Sequence, residues 1–70
     1  MNRQKRQYDY IIGIMGDVLG STEKAEAWMR LPNITFKGRK PIDLITLTDY
    51  DKLKVYANRL HYSMDVHLFV

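Results

Sequence analysis

WMRLPNITFKGRKPIDLI, residues 28–45, sets one Trp, two prolines and a single glycine around a basic turn in the middle of a 70-residue chain. Pro32 lacks a backbone donor and steers Leu31 away from helical angles, so a helix arriving from the N-terminal side ends there. Pro32 and Asn33 favour a turn, and Gly38 permits backbone angles that other residues resist. Pro41 suits the first turn of a new helix, where its missing N–H would have no partner in any case. The stretch reads as a helix stop, a glycine turn and a helix start.

Upstream, Tyr8, Ile11, Ile12, Met15, Val18 and Leu19 recur at three- and four-residue spacing, which predicts an amphipathic helix from Gln4 to Leu19. Gly20 supplies a left-handed stop. Gly13 and Gly16 each cost up to about 1 kcal/mol relative to Ala inside a helix, so they are expected to mark a close helix contact or a frayed turn. Ser21 is a good N-cap, and Glu23 stands where the helix dipole favours an anion. A second helix is predicted from Thr22 to about Leu31, with Ala25, Trp28 and Met29 on its inner face. Trp28 reads first as core and second as an interface anchor, and both hold if the ring spans core and surface.

Downstream, Ile42, Leu44, Ile45 and Leu47 predict a short, largely buried helix opening at Pro41. Thr48 followed by Asp51 resembles a capping box with Asp in the usual Glu place. A fourth helix is predicted from Asp49 to about Tyr62, with Leu53, Tyr56, Ala57 and Leu60 as its inner stripe. In the tail SMDVHLFV, residues 63–70, Met64, Val66, Leu68 and Val70 alternate with Asp65, His67 and Phe69, which predicts an extended segment. A lone strand in a helical domain must pack as coil or pair with another chain. The expected fold is all-α: a compact bundle of about four short helices with an extended C-terminal tail, forming one domain over residues 1–70.

A chain this small buries only about 60% of the surface its unfolded form exposes. Ordering costs on the order of 1.5 kcal/mol per residue, so burial of its 46% apolar residues nearly cancels that cost. A partner or self-association is therefore a natural stabiliser. The absence of cysteine removes disulfides, thiolate zinc sites and cysteine nucleophiles together, and fits a reducing cytosol. The longest apolar run falls far short of the roughly 20 residues that span a bilayer, and MNRQKRQYDYIIG lacks a signal peptide's apolar stretch. The expectation is a cytoplasmic protein with no membrane contact.

Chemistry-bearing residues are sparse. His61 and His67 stand six apart across a predicted change of structure, and neither has further ligands at a metal-binding spacing. Asp49, Asp51 and Asp65 read as capping or solvated carboxylates before they read as a catalytic pair. Ser21 and Ser63 lack both a base at a suggestive spacing and a glycine-rich elbow, and Gly38 alone makes no phosphate loop. No catalytic, cofactor-binding or metal-binding residue is assigned, and the chain reads as non-catalytic. The net charge is +3 with a pI near 9.3, and Lys37, Arg39 and Lys40 form one basic group while Lys52 and Lys54 form another. Such modest clustering leaves a nucleic-acid footprint as a secondary reading. The predicted pair around VLGSTEKA has a turn suited to a helix-turn-helix, but TEKAEAWMRL would present two glutamates to phosphate.

The run LGSTEKAEAWMRLPNITFKGRKPIDLI resembles the toxin-binding domain at the C-terminal end of MbcA/ParS/Xre-type antitoxins. The likeness runs through Ala25, Trp28, Arg30, Pro32, Asn33, Gly38, Pro41, Asp43 and Leu44, with Trp28, Pro32, Gly38 and Pro41 as its signature. NRLHYS, residues 58–63, resembles the family's Gly-Arg-Ile segment, with Arg59 and Leu60 in the matching places. The likeness covers about residues 18–63. It implies a bacterial antitoxin module that binds a RES-domain toxin, an NAD-consuming enzyme, and blocks its active site. It also implies a homodimer.

The chain departs from the family's pattern in three places, one being Asp49 and its neighbours, which stand where the last helix often starts with glycine. Lys37 stands where a glycine commonly precedes Gly38. Only one predicted helix precedes the block, so the family's usual N-terminal helix-turn-helix is missing and DNA binding is not expected to carry over. The expected toxin-facing residues are Lys37, Gly38, Arg39, Lys40 and Arg59, with Met64, Val66, Leu68 and Val70 of the tail. Two other classes stand beside this reading: a small basic nucleic-acid-binding regulator using Arg3, Lys5, Arg6 and the Lys37–Lys40 turn, and a bare helical oligomerisation domain.

Overall fold

In the computed structural model, which describes residues 2–67 and their side chains as far as Met64, the chain enters its first helix on a cap the sequence pattern does not announce. The Asn2 side chain accepts a hydrogen bond from the Gln4 N–H at 2.8 Å and opens α1 (Arg3–Leu19). Gly20 ends it as predicted, at φ 101° and with its N–H donating to the Gly16 carbonyl at 2.8 Å. Ser21 Oγ accepts from the Lys24 N–H at 3.1 Å and opens α2 (Thr22–Met29). This helix stops two residues earlier than predicted, because the Arg30 and Leu31 N–H groups fold back onto the Ala27 and Trp28 carbonyls in a tightened last turn. Pro32 follows, then a one-turn 3-10 helix (Ile34–Phe36), α3 (Pro41–Thr46) with Pro41 in its first turn, and α4 (Tyr50–His67).

Each element sends apolar side chains to one centre. Ile11 and Met15 come from α1, Ala25 and Met29 from α2, Phe36 from the 3-10 turn, Leu44 and Ile45 from α3, and Leu53 and Ala57 from α4. Burial of a large apolar side chain stabilises by about 1.5–3 kcal/mol. No polar or charged side chain is buried among the described residues, so apolar shape alone specifies this centre. α1 lies against both α2 and α4, and α3 closes the open end against α4 and α1. The inner faces predicted for the first, second and fourth helices all turn inward, with Trp28, Tyr56 and Leu60 half-buried at the rim.

Four expectations need correction. A Cβ on Gly13 would meet no heavy atom within 4 Å, and one on Gly16 would meet the Ser21 carbonyl oxygen at an ordinary 3.7 Å, so neither glycine marks a tight crossing, and both lie in unbroken helix. Leu47 lies past the end of α3 and is 57% exposed. Thr48 is not a cap: it takes a left-handed φ of 64° to reverse the chain, and its hydroxyl donates to the Leu47 carbonyl. Asp49 then precedes α4, its N–H donating to the Leu44 carbonyl at 2.8 Å.

The tail is the fourth correction. Ser63, Met64 and Val66 belong to α4 rather than to an extended segment, while Leu68 and Val70 lie outside the described residues. No glycine or proline occurs after Pro41, and adding a residue to a formed helix costs far less than starting one. An alternation of four apolar residues is too short to overrule that propagation.

Two predictions follow from this geometry. Gly13→Ala should stabilise the chain by up to about 1 kcal/mol, raising Tm by roughly 4–8 °C in thermal unfolding followed by circular dichroism, whereas Gly38→Ala, at φ 84°, should lower it. The Tyr50 phenol is held above its ordinary value, chiefly by burial and then by Tyr10 and Asp51. A raised folded value means that this contribution is intact below pH 10 and is lost as pH rises through the folded value. Tyr50→Phe should therefore flatten the alkaline limb of stability measured against pH.

Candidate functional site

The turn between α2 and α3 is built around Asn33. Its N–H donates to the Arg39 carbonyl at 3.1 Å, and its carbonyl accepts from the Phe36 and Gly38 N–H groups at 3.0 and 2.9 Å. Its side-chain oxygen accepts from the Thr35 N–H at 2.9 Å and caps the 3-10 helix. Lys37 at φ 60° and Gly38 at φ 84° then take successive left-handed angles, which fold the chain back upon Asn33. The loop is closed by its own hydrogen bonds.

This closure divides the turn into an inner and an outer side. Phe36 points inward, is 5% exposed and meets Tyr56 edge-on, with ring centroids 5.3 Å apart. Tyr56 in turn lies parallel to Trp28 at 6.3 Å, so one row of aromatic rings joins α2, the turn and α4. Trp28 packs against the core and stands half-buried at its rim. Ile34 points outward and is 94% exposed.

Of the predicted basic residues, Arg39 is the one the fold itself uses. Its Nη1 donates to Asp49 Oδ2 at 2.9 Å and its Nε donates to the Phe36 carbonyl at 3.3 Å, with both charged side chains about a third exposed. The guanidinium therefore ties the turn to the start of α4. Lys37 and Lys40 stand exposed on either side of it, and Gly38 is exposed between them. Arg59 is exposed on α4 and shares a shallow groove with Thr35, Phe36, Val55 and Tyr56, which brings it beside the turn. Met64 is half-buried, and Val66 lies in α4. Four of the expected residues thus form one turn, and Arg59 neighbours it.

Sequence reasoning missed the exposed apolar residues of this region. Val55 and Tyr62 are 50% and 70% exposed, seven residues apart on α4 and outside its inner stripe. That spacing is the signal that could have found them. Ile34 carries no periodic signal, because it stands in a single turn.

Two further ion pairs serve the scaffold. His61 Nε2 lies 3.3 Å from Asp17 Oδ2 and joins α4 to α1, and Lys5 pairs with Asp9 at 2.9 Å within α1. Asp49 faces Arg39, while Asp51 sits exposed in the first turn of α4, so the two are not a paired carboxylate site. Among the described residues no group of three or more His, Asp or Glu could hold a metal ion, and no helix is long and apolar enough to cross a membrane.

In comparison with known protein families, residues 16–55, more than half of the chain, match the family described as the antitoxin Xre/MbcA/ParS C-terminal toxin-binding domain. The matched stretch contains the end of α1, all of α2, the Asn33 turn, α3 and the start of α4. NRLHYS lies beyond it. No curated protein and no solved structure matches the chain.

The clamp makes a measurable prediction. Arg39→Ala should cost on the order of 1 kcal/mol in urea unfolding, and Asp49→Ala should cost clearly less in that background than alone. Equal costs in the two backgrounds would mean that the ion pair adds nothing to the turn.

Proposed function

The chain belongs to the antitoxin Xre/MbcA/ParS C-terminal toxin-binding domain family, and from that premise we propose that it neutralises a RES-type, NAD-consuming toxin by covering the toxin's active site. Family membership makes a toxin the partner. The narrower reading adds which toxin, which surface, and that the chain contributes no chemistry of its own. The observation that carries it is the matched stretch, which centres on a turn whose backbone is latched and whose outer side is offered to solvent.

Its surface suits docking on physical grounds. Ile34 is a large apolar side chain held almost wholly in water by a rigid turn, with Lys37 and Lys40 exposed close by in the chain. A preorganised turn loses little conformational entropy when it is captured. The end of the chain from Met64 to Val70 is the second proposed contact. The module acts as a homodimer in the cytoplasm, in keeping with the family resemblance and with the small core.

The test is to purify the chain with a RES-type toxin encoded in the adjacent reading frame and to follow NAD depletion. The chain should suppress NAD loss. Ile34→Asp, and Lys37→Glu combined with Lys40→Glu, should each weaken toxin binding about tenfold or more while thermal unfolding stays close to that of the parent. Truncation after Ser63 should weaken inhibition as well. Full inhibition by all three variants would remove the turn and the tail from the interface, and failure of the parent chain to bind any such toxin would remove the RES assignment.

A further inference from the structure

α4 carries two opposite faces. Leu53 and Ala57 are buried, whereas Val55 and Tyr62 stand on the far side of the helix at 50% and 70% exposure. At about 100° per residue, Asp51, Val55, Arg59 and Tyr62 fall within one stripe roughly 80° wide, centred opposite the buried residues. A shallow groove borders Val55 on each side, one reaching Lys54 and Asn58 and the other reaching Thr35 and Tyr56. A ridge between two grooves is the relief by which helices interlock.

The charges on this stripe are arranged about Val55. Asp51 stands one turn before it and Arg59 one turn after it. Neither makes an ion pair among the described residues, whereas nearby Lys54 lies over the Tyr10 ring at 5.8 Å and Asn58 reaches the Tyr10 hydroxyl. A stripe with an acid on one side of an apolar residue and a base at the same distance on the other is complementary to itself when turned end for end. Such self-complementarity is what a two-fold interface requires.

We infer that the outer face of α4 is the homodimer interface, with a second copy of this chain crossing antiparallel at Val55. In that pairing Val55 meets its own counterpart and each Asp51 faces the other chain's Arg59. Counting outward from Val55, each Tyr62 reaches the other chain's corner at Leu47 and Thr48, where Leu47 is 57% exposed. The inference rests on the homodimer reading above and deepens it by naming the face and the register. It leaves Ile34, Lys37 and Lys40, which line neither groove, for the toxin.

Sedimentation equilibrium of the full chain without toxin tests it, with circular dichroism to establish that each variant folds. The parent should dimerise. Asp51→Arg and Arg59→Asp should each raise the dimer Kd by about tenfold or more, and the two together should restore it to near the parent value, because a symmetric pair survives exchange of its charges. Val55→Asp, at an exposed position that leaves the core intact, should also dissociate the dimer. A dimer indifferent to all of these changes would keep the homodimer reading and overturn this face. A parent chain that stays monomeric would overturn both. A Val55→Asp variant that still dimerises but no longer binds toxin would assign the face to the toxin and overturn the inference.

Discussion

The fold depends on getting Phe36 out of a loop and into the core. Four helices, one of them only six residues long, cannot enclose an apolar centre by themselves, and the turn between α2 and α3 supplies the ring that closes it. The driving force is burial of that ring, but burial needs the backbone to hold a shape with few repeating hydrogen bonds. Asn33 provides the shape by satisfying the turn from its N–H, its carbonyl and its side chain at once. Arg39 then fastens the turn to the residue ahead of α4, and the aromatic row from Phe36 through Tyr56 to Trp28 carries the contact across to α2.

Much of this organisation is legible in the residues because it rests on local chemistry. Gly20 and Ser21 mark the break between α1 and α2 through backbone freedom and a hydroxyl acceptor, and Pro32 and Pro41 bracket the turn through their missing donors. The inner stripes follow from helical periodicity. What stayed hidden was decided by partners distant in sequence. Arg39 and Asp49 are ten residues apart with no pattern to join them, so Asp49 read as a helix start rather than as half of a clamp. Thr48 looked like a cap because a hydroxyl precedes a carboxylate at the right spacing, yet the reversal between α3 and α4 needed that residue for its backbone. The tail looks extended because four apolar residues alternate there, whereas the continuation of α4 rests on the lack of any glycine or proline to stop it.

The site was less legible than the fold for a related reason. The basic turn was visible as a cluster of charges, but charge does not say which cation is tied inward. The structure separates Arg39, which holds the turn, from Lys37 and Lys40, which face water. Periodicity sought inner stripes only, so the outer pair Val55 and Tyr62 on α4 went unnoticed although their spacing is equally regular. Membership of the antitoxin toxin-binding family makes a toxin the partner, and the exposed turn is the surface proposed to meet it.

The self-closed turn also separates residues that hold it shut from residues that only face water. Asn33, Phe36, Gly38 and Arg39 keep the loop shut and seated, and apart from Asn33 and Arg39 they act through backbone freedom or burial. Ile34 and Thr35 lend only their backbones to that closure, so their side chains can be changed without rebuilding the turn. Lys37 is freer in charge than in conformation, since its left-handed angle admits glycine or asparagine more readily than a branched residue. A library made in the laboratory therefore has three positions, Ile34, Thr35 and Lys37, to vary over one fixed frame.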